Sequence, residues 1–265
     1  MRLKLNKLEA IGIFDSGIGG VTVLKEIIKL LPNERYVYYS DSRNNPYGDK
    51  TETEIKNICD NIVKKLIKEN CKVIVIACNT ASAIASNFLR NKYKDIPIVA
   101  IEPAYKMVHD YSYNSRTLVM ATKGTIESEK FKLLIAKYNN NKTYVMACKG
   151  LADIIEQGDK EKLKLYLNKN LKKYKNKVDS IVLGCTHYPL IQNEIKEILG
   201  DINFFNSAPS LANHLKEILE EKQIINDEES FEKKQIKFKD SKCSKEKEQR
   251  FFEIIKKLEM NNSER

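Results

Sequence analysis

The sequence predicts an α/β fold made of two related α/β domains, each with a largely parallel sheet, meeting at a cleft that holds the active site. Three observations carry this reading. Apolar runs of strand length alternate with longer segments of helical period. Two of the runs, "VIVIAC" ending at Cys78 and "SIVLGC" ending at Cys185, stop at a cysteine followed by polar and hydroxyl side chains. Laying the chain over itself with Cys78 on Cys185 also lays Asp15 on Thr122 and Gly17 on Gly124, so that "IGIFDSG" covers "LVMATKG". An offset this long is not a solenoid period; it describes two domains of one design, each offering a cysteine at the end of a strand. The domains are assigned to 1–97, with 209–265 returning to them, and to 98–208.

The elements follow in order. "AIGIFD" (10–15) reads as the first strand, and the Gly-rich turn "DSGIGG" (15–20) leads into the helix "GVTVLKEIIKLL", whose apolar residues recur at three and four. "RYVYYSD" (35–41), rich in β-formers, is the second strand. The helix at 51–69 opens with "TETE", a hydroxyl and acids where the first N–H groups need partners. The third strand is "VIVIAC" (73–78), the fourth "PIVAI" (97–101), the fifth "TLVMAT" (117–122), the sixth "YVMAC" (144–148) and the seventh "SIVLGC" (180–185). Beyond Gly200 the chain is more charged. "QIKFKDSK" (235–242) reads as an edge strand and 245–258 as a closing surface helix with Phe251, Phe252, Ile254, Ile255 and Leu258 on one side and no chemistry of its own.

Composition narrows the function. With 265 residues and 42% apolar content, the chain is neither collagen-like, mucin-like nor disordered. It opens without a charged stretch followed by an apolar one, and no apolar run approaches the roughly 18 residues of a membrane span, so a cytoplasmic protein with no membrane partner is expected. Six cysteines without a CxxC pair fit a reducing compartment, with no disulfide framework and no zinc ribbon. A net charge of +10 raises nucleic acid as a partner, but the excess is lysine spread along the chain, and no basic run is interleaved with stacking aromatics. Nucleic-acid binding is therefore not read as the main role.

In open parallel sheets ligands bind beyond the carboxyl ends of the strands, which is where Cys78 and Cys185 stand. If each domain presents one thiol and the domains face each other, the sulfurs flank a ligand from opposite sides. That suits removal of a proton from one face of a carbon and its replacement on the other. A thiol with pKa about 8.5 can serve as acid or base. A helix N-terminus just after each cysteine would favour the thiolate and offer N–H groups to a carboxylate, with Asn79, Thr80, Thr186 and His187 in the first positions. Asp15 and Ser16 can reach into the crevice from "DSGIGG", whose glycines permit positive φ and close approach; the stretch lacks both the GxGxxG spacing and a P-loop lysine. Tyr47 in "NNPYGDK" (44–50) can hydrogen-bond an anion. Read singly, these loops are turns and Cys78 is a packed thiol, as Cys59, Cys71, Cys148 and Cys243 are read; His109 and His214 are read as satisfied strand-end histidines. The pairing of two cysteines in matched contexts changes the reading for Cys78 and Cys185.

In order and spacing, "GIFDSGIGGVTVLKEI", "NNPYG", "VIACNTAS" and "IVLGCTHYPLI" resemble glutamate racemase of the aspartate/glutamate racemase superfamily, from Ile11 to Leu211. The resemblance implies a cofactor-independent enzyme, with no metal, that interconverts L- and D-glutamate between two domains, supplies D-glutamate for peptidoglycan, and forms a homodimer. It places the catalytic cysteines on Cys78 and Cys185, assisted by Asp15 and His187. It places substrate contacts on Asp15, Ser16, Tyr47, Gly48, Asn79, Thr80, Thr186 and His187. An acidic residue before a glycine falls on Glu156 in "IIEQGD", although "CKGLAD" before it departs from the family's proline-containing stretch. Ser40 stands where Gly is commoner, and "KFKDSKC" only loosely matches the family's closing strand. Aspartate racemases tend to carry Glu where this chain has His187, which favours glutamate. Further alternatives are a thiol hydrolase using Cys185 and His187, and a zinc site of Cys78, Cys185 and His187.

Overall fold

The computed structural model describes residues 6–227 and 236–263. Its first half runs β1 (Ala10–Asp15), α1 (Val21–Leu30), β2 (Tyr36–Ser40), α2 (Glu52–Lys68), β3 (Cys71–Ile76), α3 (Asn79–Lys92) and β4 (Ile98–Ala100). After α4 (Tyr105–Tyr111) come β5 (Thr117–Ala121), α5 (Lys123–Glu127), α6 (Glu129–Tyr138), β6 (Thr143–Ala147), α7 (Leu151–Gln157), α8 (Lys160–Leu171), β7 (Ser180–Gly184), α9 (Gln192–Leu199) and β8 (Asn203–Phe205). The chain then closes with α10 (Ala208–Glu221), β9 (Ile236–Asp240) and α11 (Lys245–Ser263). The strands form two sheets, ordered β4-β3-β1-β2-β9 and β6-β5-β7-β8, and all their pairings are parallel.

Each sheet is covered on both faces, and the two-residue period of a strand decides which side chain meets which layer. On β3 and the residues just after it, Val73, Val75 and Ala77 face the core shared with α1 and α10, whereas Ile74, Ile76 and Cys78 face the core shared with α2 and α3. In the second sheet Ile181, Leu183 and Cys185 share one core with α7, α8 and α9, while Val182 points to the other. The register of packing therefore determines the face on which each cysteine emerges. The "TETE" start of α2 forms a capping box: the Glu54 N–H donates to the Thr51 hydroxyl at 3.3 Å and the Thr51 N–H to the Glu54 carboxylate at 2.9 Å.

The structure differs from the sequence-based expectations in four places. The strand Ile98–Ala100, assigned to the second domain by a boundary after residue 97, pairs with β3 in the first sheet, and Ala208 packs in the first core. The short strand β8 was not foreseen, because three residues are too few to show a period. The closing helix α11 is more than a surface element: Phe251 is fully buried, with its ring centroid 4.6 Å from those of both Tyr38 and Phe238. His109 and His214 lie on helices α4 and α10, not at strand ends.

Candidate active site

Cys78 follows β3 and is the N-cap of α3, so Asn79 and Thr80 occupy the first turn of a genuine α-helix. Burial, joined by the charge of Asp15, pushes the Cys78 thiol up to about 12, against the pull of the Ala81 N–H and the Ser16 hydroxyl. Cys185 follows β7, but no α-helix begins behind it. Thr186 and His187 lead into a one-turn 3₁₀ helix, Tyr188–Ile191, before α9 starts at Gln192. The expected helix N-terminus therefore exists at Cys78 and not at Cys185.

At Cys185 the local chemistry comes from a histidine instead. His187 Nδ1 lies 3.7 Å from Cys185 Sγ, and its Nε2 lies 2.8 Å from Glu156 Oε2 on α7, with both ring and carboxylate buried. Burial pushes the imidazole towards neutrality, yet the contacts with Cys185 and Glu156 outweigh it and raise the His187 pKa above its ordinary value. Burial likewise works against the Glu156 carboxylate, but His187 and Lys247 of α11 bring its pKa down to about 2.

Asp15 closes β1 and is entirely buried. Its Oδ2 accepts from the N–H groups of Gly17 at 3.3 Å and Gly20 at 3.0 Å, and its Oδ1 accepts the Thr186 hydroxyl at 3.3 Å, which ties the first sheet to the loop after β7. Burial above all holds its pKa above the ordinary carboxylate value, against His187 and the Gly20 N–H.

The glycines of "DSGIGG" serve close approach alone; none has a positive φ. A Cβ on Gly17 would meet Glu156 Oε2 at 2.0 Å, and one on Gly19 would meet His187 Nδ1 at 2.4 Å. Gly19→Ala must therefore displace the imidazole from Cys185. A drop in turnover of about a hundredfold is expected, with a stability loss of about 1–3 kcal/mol because the methyl overpacks a fully buried ring held by Glu156. Steady-state kinetics beside a melting curve check this, and unchanged turnover would show that the His187 position does not matter.

Ser16, Tyr47, Gly48, Cys78, Asn79, Thr80, Cys185, Thr186 and His187 line a single cavity between the carboxyl ends of the two sheets. Asp15 and Glu156 do not line it; they stand behind Thr186 and His187. Tyr47 donates its hydroxyl to Asp41 Oδ2 at 2.7 Å, and the loop 44–50 lines the cavity with Asn45, Pro46, Tyr47, Gly48 and Asp49. Thr122, Cys148, Lys149 and Asp153 also line the cavity, and sequence reasoning assigned none of them a role. Thr122 had a signal: it is the residue that falls on Asp15 when the chain is laid over itself. Its hydroxyl lies 2.8 Å from that of Thr80, which joins α3 to the second sheet. Among the described residues no group of three or more His, Cys, Asp or Glu is placed to hold a metal ion.

Comparison with known proteins decides the family. The model of the Asp/Glu/Hydantoin racemase family matches residues 11–215. The chain belongs to this family. It is 42% identical over 228 residues to the glutamate racemase of Clostridium botulinum, an alignment spanning 84% of this chain and 88% of that one. Among solved structures, glutamate racemase from Francisella tularensis in complex with D-glutamate superposes with a TM-score of 0.80 at 30% identity, covering 94% of each chain. The Escherichia coli glutamate racemase, solved with L-glutamate and the activator UDP-MurNAc-ala, gives 0.78 at 29% identity, covering 92% of this chain and 95% of that one. Family members of this kind are isomerases. No helix among the described residues is long and apolar enough to cross a membrane.

Proposed function

We propose that this chain interconverts L- and D-glutamate, using Cys78 and Cys185 as a pair of bases on opposite faces of the α-carbon. The observation that carries the reading is that two thiols, delivered by the carboxyl ends of different sheets, line one cavity. In one direction the thiolate of one cysteine removes the α-proton and the thiol of the other returns its own proton to the opposite face. Turnover leaves the two protonation states exchanged, and proton exchange with solvent resets them. Because burial holds the free Cys78 thiol above its ordinary pKa, substrate binding helps to form its thiolate, and the ammonium of an amino acid can do so.

The negative charge that develops on the α-carboxylate needs preorganised donors. Asn79 and Thr80 at the start of α3, Thr186, Ser16, Tyr47 and Gly48 line the cavity and suit this and the second carboxylate. Asp15 acts on Cys78 through its charge, and His187 acts on Cys185 through Nδ1, with Glu156 behind it. A thiol hydrolase would use Cys185 and His187 but would leave Cys78 in the same cavity without a task. The reading calls for no cofactor. It places the enzyme in the cytoplasm as a homodimer that supplies D-glutamate for peptidoglycan.

The test is incubation with L-glutamate in deuterium oxide, without added pyridoxal phosphate or metal. Optical activity should decay to zero while deuterium enters the α-position of the product. Label uptake with optical activity retained, or racemisation of aspartate in place of glutamate, would overturn the assignment.

A further inference from the structure

Helix α11 bridges the two halves of the molecule. Phe251 anchors it in the first core, while one turn earlier the Lys247 ammonium pairs with Glu156 Oε1 on α7, and Arg250 donates to the Ile155 carbonyl at 2.9 Å. Lys247, Arg250 and Phe251 are spaced at three and four residues, so one stretch of helix presents the anchor and both contacts. The two oxygens of Glu156 are thus divided. Oε1 faces Lys247, and Oε2 accepts from the Ile18 N–H at 3.4 Å and faces His187 Nε2.

We propose that Lys247 is a positioning residue for racemisation: by holding Oε1 it keeps Glu156 an oriented carboxylate, and so holds His187 with Nδ1 turned to Cys185. The inference rests on the two-base reading of the site. Its logic is one of tautomers. An ionised Glu156 can only accept, so Nε2 must carry a proton and Nδ1 is left to exchange one with the Cys185 thiol. A protonated Glu156 could donate to Nε2 instead, which would place the ring proton on Nδ1 and block that exchange. Burial favours the protonated form. The charges around Glu156 do not reproduce the Lys247 contact. Asp15 and Asp153 near it are acids and cannot supply positive charge. The groove behind it mixes signs, with Lys25 and Glu26 of α1, Asp159 and Lys160 at the start of α8, Glu194 of α9, and Arg250 and Lys257 of α11. Arg250 is engaged with the Ile155 carbonyl.

Lys247 does not line the substrate cavity, so its loss should act on kcat and not on KM. In Lys247→Met the acid limb of the pH profile of kcat/KM should move up by about one unit as Glu156 becomes easier to protonate. Near neutrality, where Glu156 is ionised in both proteins, kcat should fall about tenfold because the carboxylate and with it His187 lose their orientation, with KM within about twofold. Lys247→Arg, which keeps the charge, should restore both. A second readout needs no turnover. The chain has three histidines, so the His187 ring signals can be identified by their absence from a His187→Gln variant. Their low-pH step, imposed by Glu156, should move upward in Lys247→Met. Profiles and His187 signals that overlay those of the parent would overturn the proposal. So would a loss of kcat that Lys247→Arg fails to restore. If the parent does not racemise glutamate but the His187 step moves, the coupling stands and the functional assignment falls.

Discussion

Cys78→Ala and Cys185→Ala should each lower glutamate racemisation by at least about a thousandfold while the protein remains folded. The asymmetry of the reaction is the reason. A proton that leaves one face of the α-carbon has to be replaced on the other, and a single remaining thiol can return a proton only to the face from which it took one. Water is a poor substitute, because Cys78 and Cys185 are 5% and 7% exposed and the cavity between them is closely lined. Each variant should therefore keep slow exchange of the α-proton for solvent deuterium, with retention of configuration, and should do so for one enantiomer only. Cys78→Ala and Cys185→Ala should favour opposite enantiomers. Nuclear magnetic resonance of L- and D-glutamate incubated separately in deuterium oxide reads both effects. Racemisation at the parent rate in either variant would rule out two-base chemistry, and exchange of the same enantiomer in both would place the thiols on one side of the substrate.

Much of this site was legible in the sequence because strand periodicity also fixes side-chain direction. Once "VIVIAC" and "SIVLGC" are strands, each cysteine must share a face with the apolar residue two before it, Ile76 or Leu183, and must emerge at the carboxyl end. The apolar run "PIVAI" was equally legible as a strand, but nothing in a buried parallel strand names its neighbour, so its place beside β3 was not. Tyr47 shows a different limit. Its side chain was expected to serve an anion, and a carboxylate six residues earlier, Asp41, takes the hydroxyl instead. Local polar competition of this kind depends on how a loop folds back, which residue type alone does not determine. Glu156 was found through its resemblance to a motif, yet its partner Lys247 lies 91 residues further on, in a helix whose charged sequence reads as solvated surface. Contacts between one charged side chain and another carry no periodic signal, so they become visible only when the packing that brings the segments together is known.

Phe251→Ala should destabilise the protein by about 3–5 kcal/mol, a large share of the stability of any domain. The ring is fully buried, with Tyr38 and Phe238 each at 4.6 Å between centroids, and it fills the corner where α11 closes over β9 and β2. Truncation leaves a cavity that the rigid sheet below cannot collapse into, and it also removes the attachment that holds Lys247 over Glu156. Phe252, which is only partly buried beside it, should cost clearly less on the same change. Urea unfolding of both variants tests the ranking. Activity gives a second check, because a loosened α11 should shift the acid limb of the pH profile in the direction expected for Lys247→Met under conditions where Phe251→Ala remains folded. A stability loss without that shift would mean that the Lys247 contact survives the loosening of its anchor, and that α11 is held in place by Arg250 and its other apolar residues.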